Sequence, residues 1–337
     1  MRDEKIHLST VTPVYQGSGF LRDLVGTLIA LKADLAERQI PVDLTEAIFV
    51  DDESVDESAA TLAELAEQYP WVRVVTLSRN FGQHSATIAG ILHSSGDWVA
   101  TLDEDLQHPP ERLPSMLMHG VESSKDVVYA SPEGAVHRSF FRDLSSRATK
   151  ALLSRLSNNP NVRYFNSFRM IRGTVARAAA SVASHDTYFD VALCWFTSRI
   201  GAVKMPLTDR REAAGQKSGY RLHSLLRHGR RLLITSEIKL LRFGALAGIL
   251  SVFASLVVGL LIIAWKLYQP SSIEVRGWAS TIVVIVFYGG LSSFLLGIVL
   301  EFMSVILLRA QGKPTFLAID RGKDDLMQPW LERQSKG

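Results

Sequence analysis

The sequence is poor in cysteine, and this scarcity excludes two classes of site. Cys194 is the one cysteine among 337 residues, so the chain has neither a disulfide framework nor a thiolate metal centre. This composition suits a reducing compartment, and we expect a cytosolic location for the globular part. Residues 1–7 are mostly polar and run directly into an apolar segment, so we expect no signal peptide.

A strong excess of one charge is also lacking. The chain carries 37 Lys and Arg against 34 Asp and Glu, and its first half has no dense basic stripe interleaved with aromatic residues. Nucleic-acid binding is therefore not expected. The glycine-containing loop at residues 17–19 matches neither a Walker loop nor a dinucleotide-binding fingerprint, so neither type of nucleotide site is expected.

Charge is missing altogether from two long segments near the C-terminus. Residues 243–265 and 279–300 contain no charged side chain, and each run has about the 20 residues that cross a bilayer core of about 30 Å. The alternative is two buried helices of a soluble core, which rarely remain apolar on all sides for this length. The sequence therefore predicts two transmembrane helices.

Basic residues flank these two segments on both outer sides. They are frequent at 227–242 and 309–323 and sparse in the connector at 266–277. The positive-inside rule then places both termini and the globular part in the cytoplasm. Small residues recur in both apolar runs, which favours close helix contacts within or between chains, and we expect a homo-oligomer.

Predicted strands and helices alternate over the first two hundred residues. The strands are nearly all apolar, which is typical of a parallel sheet covered on both faces, and so of the α/β class. The predicted strands are 6–14, 47–50, 72–77, 98–102, 127–129, 168–171 and 203–207. The predicted helices are 20–36, 56–68, 83–93 and 174–184. Basic amphipathic helices are predicted at 131–156 and 222–242, and they suit either a membrane interface or an ordinary solvated surface.

Polar residues follow three of these strands. Asp51 and Asp52 close the second strand, Arg79 and Asn80 follow the third, and Asp103 follows the fourth. Open α/β sheets bind ligands outside the carboxyl ends of their strands, so we expect these residues to share one site.

The carboxylate run at residues 103–105 suggests the chemistry of that site. Residues i and i+2 of an extended chain share a face, so Asp103 and Asp105 point the same way. Together with the amide oxygen of Gln107 they form a hard-oxygen set suited to Mg²⁺ or Mn²⁺. The alternative is an acidic surface turn that caps the next helix.

Three motifs resemble those of one enzyme family. The sequence VDDESVDES at 50–58 resembles the VDDGSxDxS signature of family-2 glycosyltransferases. SRNFGQHSA at 78–86 and DEDLQHPPE at 103–111 resemble its polyprenyl-phosphate branch, which includes dolichol-phosphate mannose synthase, the bactoprenol glucosyltransferases and the undecaprenyl-phosphate formamido-arabinose transferase. The sequence departs from the family pattern at several positions. Glu53-Ser54 replaces the usual Gly-Ser, Glu104 replaces a small residue inside the carboxylate run, and Gln16-Gly17 replaces an acid that often follows the first strand. Ser131 stands near the place of an arginine, and the loop at 215–220 has an extra residue and a displaced lysine.

The resemblance implies a division of the chain into four parts. Residues 1–220 would form a GT-A catalytic domain, a Rossmann-like α/β domain with a mostly parallel sheet. An amphipathic juxtamembrane helix at 221–242 would follow, then a two-helix transmembrane hairpin at 243–308 and a cytoplasmic tail at 309–337. The two-span tail resembles bacterial members, so we expect a multi-pass protein of the bacterial plasma membrane, and a tetramer is one form that similar members take.

The resemblance also implies a reaction, in which a sugar moves from a nucleotide diphosphate sugar, expected to be a UDP-sugar, to a polyprenyl phosphate. Asp103 and Asp105 would be catalytic and would hold Mg²⁺ or Mn²⁺ with Gln107. A third catalytic residue would be Arg211. The donor would be bound by Pro13, Val14, Tyr15, Asp51, Asp52, Arg79 and Asp103.

The acceptor phosphate requires cations rather than a base. Its candidate ligands are Arg142, Arg147, Arg210, Arg211 and Lys217. Arg142 and Arg147, on the first predicted basic helix, could instead bind anionic lipid. A phosphate monoester has a second pKa of about 6 and is already nucleophilic at neutral pH. His84, His108 and Asp190 are therefore interpreted first as structural residues, with a base role for Asp190 as the alternative.

The sequence leaves two rival functions to be distinguished. A processive polysaccharide synthase would carry a QxxRW motif and more membrane spans, and the sequence has neither. A catalytically inactive membrane scaffold would not need the paired acids and arginines. In-line attack by the phosphate predicts inversion at the anomeric carbon.

Overall fold

The computed structural model describes residues 5–132, 160–183, 187–205, 264, 268, 278–310 and 315–318. The chain divides into two compact units. One unit comprises Met1–Ser154, Asn159–Thr235 and Pro314–Gly337, and the other comprises Arg155–Asn158 and Ser236–Lys313.

The first unit is built on one sheet. Its described strands are β1 (Ile6–Val14), β2 (Val42–Asp51), β3 (Val72–Thr76), β4 (Trp98–Thr101), β5 (Val127–Pro132), β6 (Arg169–Arg172) and β7 (Ile200–Met205). They lie in the order β3-β2-β1-β4-β6-β5-β7. Among these strands, β6 alone runs antiparallel to its neighbours. The predicted α/β fold with a mostly parallel sheet is therefore confirmed.

Six described helices cover this sheet. They are α1 (Leu21–Glu37), α2 (Ser58–Gln68), α3 (Gln83–Leu92), α4 (Leu113–Glu122), α5 (Gly173–Val182) and α6 (Phe189–Phe196), with short 3-10 helices at Pro110–Arg112 and Pro160–Tyr164. On β2, Phe49 belongs to the core cluster that includes residues of α1, α2 and α4, whereas Ile48 and Val50 belong to the cluster that includes residues of α3, α5 and α6. Since strand side chains alternate between faces, each face of the sheet has its own helical layer.

The strand order reverses next to β1. The chain passes from β1 to β2 and β3 on one side, and then crosses to β4 on the other side of β1. Such a switch point opens a crevice between the loops that follow the two central strands. Here those loops begin at Tyr15 and at Leu102, so the crevice lies beside the carboxylate run.

The observed element bounds correct several expectations. β2 begins at Val42, earlier than predicted, because it pairs with β1 along its length. Ser131 and Pro132 belong to β5, which pairs with β7 through Pro132, so the prediction that a helix begins at 131 was wrong. The rest of that helix, and the basic helix predicted at 222–242, lie outside the described residues.

A short C-terminal segment adds to the edge of the sheet. Leu77, just after β3, forms an antiparallel bridge with Ala318, and the N–H of Ser78 donates to the carbonyl of Leu317 at 2.9 Å. Phe316 packs against the same core cluster as α3. Residues 315–318 therefore support the loop that follows β3.

The second unit contains one described long helix, α7 (Trp278–Ala310), with 33 residues. Among the residues that the structure describes, no helix combines the length and the apolar character needed to cross a membrane. The first predicted span, at 243–265, falls almost wholly outside the described residues.

Candidate active site

The carboxyl ends of β1 to β4 bring the predicted donor-side residues to one edge of the sheet. Tyr15 follows β1, Asp51 ends β2, Arg79 lies in the loop after β3, and Asp103 follows β4. This arrangement results from parallel strand pairing, in which Val14 lies opposite Asp51 and Val11 lies opposite Thr101.

Asp103 is held by two neutral donors. The side-chain amide of Gln83, the first residue of α3, donates to its Oδ1 at 2.7 Å. The hydroxyl of Ser167, which precedes β6, donates to its Oδ2 at 2.9 Å. His108 Nε2 lies 3.6 Å from Oδ2, which is beyond hydrogen-bond distance. Each carboxylate oxygen therefore keeps a second lone pair for a ligand, and these bonds orient the group without saturating it.

His108 contacts the same turn through its imidazole ring. The backbone N–H of Asp103 donates to His108 Nδ1 at 3.0 Å, and the buried ring stacks on Phe168 with centroids 4.8 Å apart. Leu106 has a φ of 59°, in the left-handed region that a side chain of this size rarely adopts. The turn is thus fixed by its own packing, and the structural interpretation of His108 is favoured.

Asp105 is buried, and its Oδ1 accepts the backbone N–H of Gln107 at 3.2 Å. Within the described ranges, no group of three or more His, Cys, Asp or Glu could by itself hold a metal ion. The predicted set contains two carboxylates and one amide, and all three supply hard oxygen donors. Its chemistry therefore fits a divalent cation that also binds substrate phosphates.

The carboxylates of Asp51 and Asp52 both accept hydrogen bonds from backbone N–H groups. Asp51 Oδ1 accepts the N–H of Ser54 at 2.9 Å, while Asp52 accepts the N–H groups of Phe81 and Gly82, each at 2.7 Å. Burial raises the pKa of the Asp52 carboxyl above its usual value, against the lowering effect of these two N–H donors. Asp52 thus anchors the loop after β3, a role that the sequence did not reveal.

The remaining donor-side residues differ in exposure. Pro13 and Val14 are buried in β1, whereas the Tyr15 side chain is 39% exposed. Arg79 is exposed, and its guanidinium lies 4.2 Å from the centroid of the Phe81 ring. Among these residues, Tyr15 and Arg79 present side chains that a nucleotide could reach.

Asp190 lies inside the domain. Its Oδ1 accepts the hydroxyl of Tyr129 at 2.6 Å and a hydrogen bond from Arg169, and all three residues are buried. Burial would lower the pKa of the Arg169 guanidinium, but the Asp190 charge raises it above its usual value. This buried ion pair favours the structural interpretation of Asp190 over that of a base.

The predicted acceptor residues Arg142, Arg147, Arg210, Arg211 and Lys217 lie outside the described residues. Sequence reasoning also missed three contacts in the described part: Gln83 and Ser167 on Asp103, and Glu104 on the turn after β1. Gln83 did fall within a motif that carried the resemblance, whereas Ser167 left no recognisable signal.

Comparison with known proteins defines the class. The model of "Glycosyl transferase family 2" matches residues 9–181, which is just over half of the chain. The chain therefore belongs to glycosyl transferase family 2 and is an enzyme of the glycosyltransferase class.

Curated relatives extend the similarity beyond that domain. The chain is 31% identical to the undecaprenyl-phosphate 4-deoxy-4-formamido-L-arabinose transferase of Edwardsiella ictaluri, over 72% of this chain and 73% of that protein. The protein of the same name from Klebsiella pneumoniae is 29% identical over 92% of this chain and 91% of its own length. A solved structure of glucosyl-3-phosphoglycerate synthase from Mycobacterium tuberculosis, in complex with Mn²⁺ and UDP-glucose, is 15% identical with a TM-score of 0.47, covering 68% of this chain and 77% of that one.

Proposed function

We propose that this glycosyltransferase moves a sugar from a nucleotide diphosphate sugar, with a UDP-sugar as the expected donor, to undecaprenyl phosphate or a similar polyprenyl phosphate. The observation that carries the proposal is the oriented carboxylate run at the switch point of the sheet, where Asp103 is held by Gln83 and Ser167. The names of the relatives, which match over most of the chain, support the acceptor class.

On the donor side, charge builds up on the diphosphate as the bond to the sugar breaks. Asp103, Asp105 and Gln107 would hold Mg²⁺ or Mn²⁺, which supplies electrostatic stabilisation of that leaving group. Tyr15 and Arg79, which lie at the same edge of the sheet, would bind the nucleotide. Asp52 keeps the loop of Arg79 in position through its two backbone contacts. The GT-A arrangement of donor and metal is part of this proposal.

On the acceptor side, the nucleophile is a phosphate oxygen that is already ionised near neutral pH. No side chain has to remove a proton, and the burial of Asp190 in its ion pair agrees with this chemistry. Arg142, Arg147, Arg210, Arg211 and Lys217 would bind the acceptor phosphate, with Arg211 as a catalytic residue. In-line attack would invert the configuration at the anomeric carbon.

The lipid acceptor places the reaction at a membrane. We propose that residues 243–308 form a two-helix anchor in the bacterial plasma membrane, with the catalytic domain 1–220, the helix 221–242, the tail 309–337 and both termini on the cytoplasmic side. Support comes from the two uncharged runs and the distribution of basic residues around them. A homo-oligomer, with a tetramer among its forms, is part of the same proposal and is tested by the mass of the protein in detergent.

Release of nucleoside diphosphate tests the function. The full-length protein with a divalent metal is incubated with UDP- and GDP-sugars and either a short polyprenyl phosphate or the matching polyprenol. Release that requires both the phosphate group and Asp105, with D105A as the inactive variant, is the expected result. The absence of release with every donor would favour an inactive scaffold.

A further inference from the structure

We propose that Glu104 is a positioning residue that fixes the turn after β1 against the carboxylate turn and thereby sets the shape of the nucleotide end of the donor crevice. The inference rests on the proposed function, since it concerns how the donor is held. It assigns a role to the middle residue of the carboxylate run, which is not among the predicted ligands.

Glu104 reaches across the switch point of the sheet. Its Oε2 accepts the backbone N–H of Tyr15 at 2.9 Å, which joins two loops that are 89 residues apart in sequence. A carboxylate that accepts an N–H bond makes a stronger contact than a neutral acceptor does. The loops joined in this way are those that follow β1 and β4, and an open α/β sheet binds its ligand between such loops.

Gly17 provides the space for this contact. A Cβ at position 17 would lie 2.7 Å from Glu104 Oε2 and 3.2 Å from Glu104 Cβ, so a side chain there would displace the carboxylate. The N–H of Gly17 donates to the hydroxyl of Ser58 at 3.1 Å. The turn is thus held by α2 on one side and by Glu104 on the other.

The position of this contact predicts which kinetic constant depends on it. Tyr15 is the first exposed residue after β1, and Glu104 holds its backbone N–H, so the bond restrains the residue that carries this exposed ring. Loss of the bond would let the turn move away from the β4 loop. Donor binding would then weaken, while Asp103 would keep its own supports from Gln83 and Ser167.

The experiment is a double-mutant cycle on the full-length protein, with the donor KM, kcat, the Kd for UDP with Mn²⁺ and hydrogen exchange at residues 13–20 as readouts. E104A is expected to raise the donor KM and the UDP Kd about tenfold, as for one lost charge-assisted hydrogen bond, with kcat within about twofold. E104Q keeps an acceptor oxygen, so its donor KM and UDP Kd are expected to rise only about threefold. Exchange at residues 13–20 is expected to accelerate in E104A.

The Gly17 variants show whether the effect passes through Glu104. G17A alone is expected to resemble E104A. G17A added to E104A is expected to add much less than G17A alone, because the carboxylate atoms that its Cβ would meet are gone and only the 3.2 Å contact with the Cβ of residue 104 remains. Additive losses, or a wild-type KM and exchange rate in E104A, would overturn the inference. So would loss of Mn²⁺ binding in E104A, which would make Glu104 a metal ligand.

Failure of the proposed function looks different in the same experiment. Wild-type protein that binds no nucleoside diphosphate and turns over no donor would refute the function itself. The exchange measurement would then still report whether Glu104 holds the turn. If E104A does not fold, E104Q and G17A supply the same comparison.

Discussion

The backbone N–H of Gly82 donates to Asp52 Oδ2 at 2.7 Å, and this bond joins the end of β2 to the start of α3. The other oxygen of the same carboxylate holds the N–H of Phe81. Asp52, the second acid of the family signature, therefore fixes the position of the backbone just before α3. Any contact that it makes with a nucleotide uses its remaining lone pairs.

D52N tests this anchoring role. An amide has one acceptor oxygen, so its NH₂ group would face the N–H of Phe81 or Gly82 and leave one partly buried donor without its partner. We expect a loss of about 1–3 kcal/mol in the free energy of unfolding and a higher donor KM. Thermal unfolding and donor kinetics check this, with the exposed-surface variant D23N as the control. A D52N protein as stable as D23N would contradict the assigned role.

S167A removes one of the two donors that orient Asp103. The bond is neutral-to-charged and partly exposed, so we expect kcat/KM to fall by about three- to tenfold with little change in stability. The apparent Kd for the activating metal should rise in parallel, since Asp103 is a proposed ligand. S115A removes an exposed hydroxyl that bonds the carbonyl of Arg112 and serves as the control. An unchanged apparent Kd for the metal in S167A would contradict the proposal that Asp103 is a metal ligand.

D190N distinguishes a structural carboxylate from a catalytic base. It would leave the buried Arg169 charge without its partner, and breaking a buried ion pair costs about 3–5 kcal/mol. We expect a large fall in the thermal midpoint, with a fall in turnover that follows the folded fraction. A stable D190N protein that has lost turnover would show that Asp190 is a base and would contradict the proposal that no base is needed.

The surroundings of the Glu46 carboxyl predict that the stability of the protein depends on pH. Burial would raise the pKa of its carboxyl, but the N–H of Ser95, the hydroxyls of Ser9 and Ser95 and the Arg73 guanidinium outweigh burial, so the pKa lies below the usual 4.5. The folded state therefore favours the ionised form, and this stabilisation is present above the unfolded-state pKa and is lost as pH falls through the folded-state value.

The measurement compares thermal midpoints of the wild-type protein and E46Q. E46Q is expected to be less stable at neutral pH, and the gap is expected to narrow as the pH falls below the ordinary pKa of a glutamate. A gap that stays constant across this range would show that Glu46 acts through packing rather than through its charge.

The sequence predicted the elements of the sheet better than their arrangement. β1 was predicted at its observed bounds, because a buried parallel strand is an apolar run that ends in polar residues. The reversed direction of β6 depends on which strands pair, and no local pattern encodes that choice. Helix α6 was missed because Phe189–Phe196 is a mostly apolar run of only eight residues, and periodicity alone does not distinguish a buried helix from a buried strand at that length.

For the site as well, the sequence predicted the residues better than the contacts between them. Its carboxylates were predictable from strand ends, but the partners of Asp103 come from positions 20 and 64 residues away. Glu104 and Gly17 were noted as two separate departures from the family pattern, and only the structure places them in contact. Such long-range contacts arise from the fold, so one sequence names the candidate groups without showing which of them meet.

The most direct test of the account is the mass of the lipid product. The full-length protein with a divalent metal, a nucleotide diphosphate sugar found in the donor screen and undecaprenyl phosphate should yield a lipid heavier by one sugar residue, and undecaprenol should yield none. Nucleoside diphosphate released without any change in the mass of the lipid, or sugar attached to undecaprenol, would contradict transfer to a phosphate.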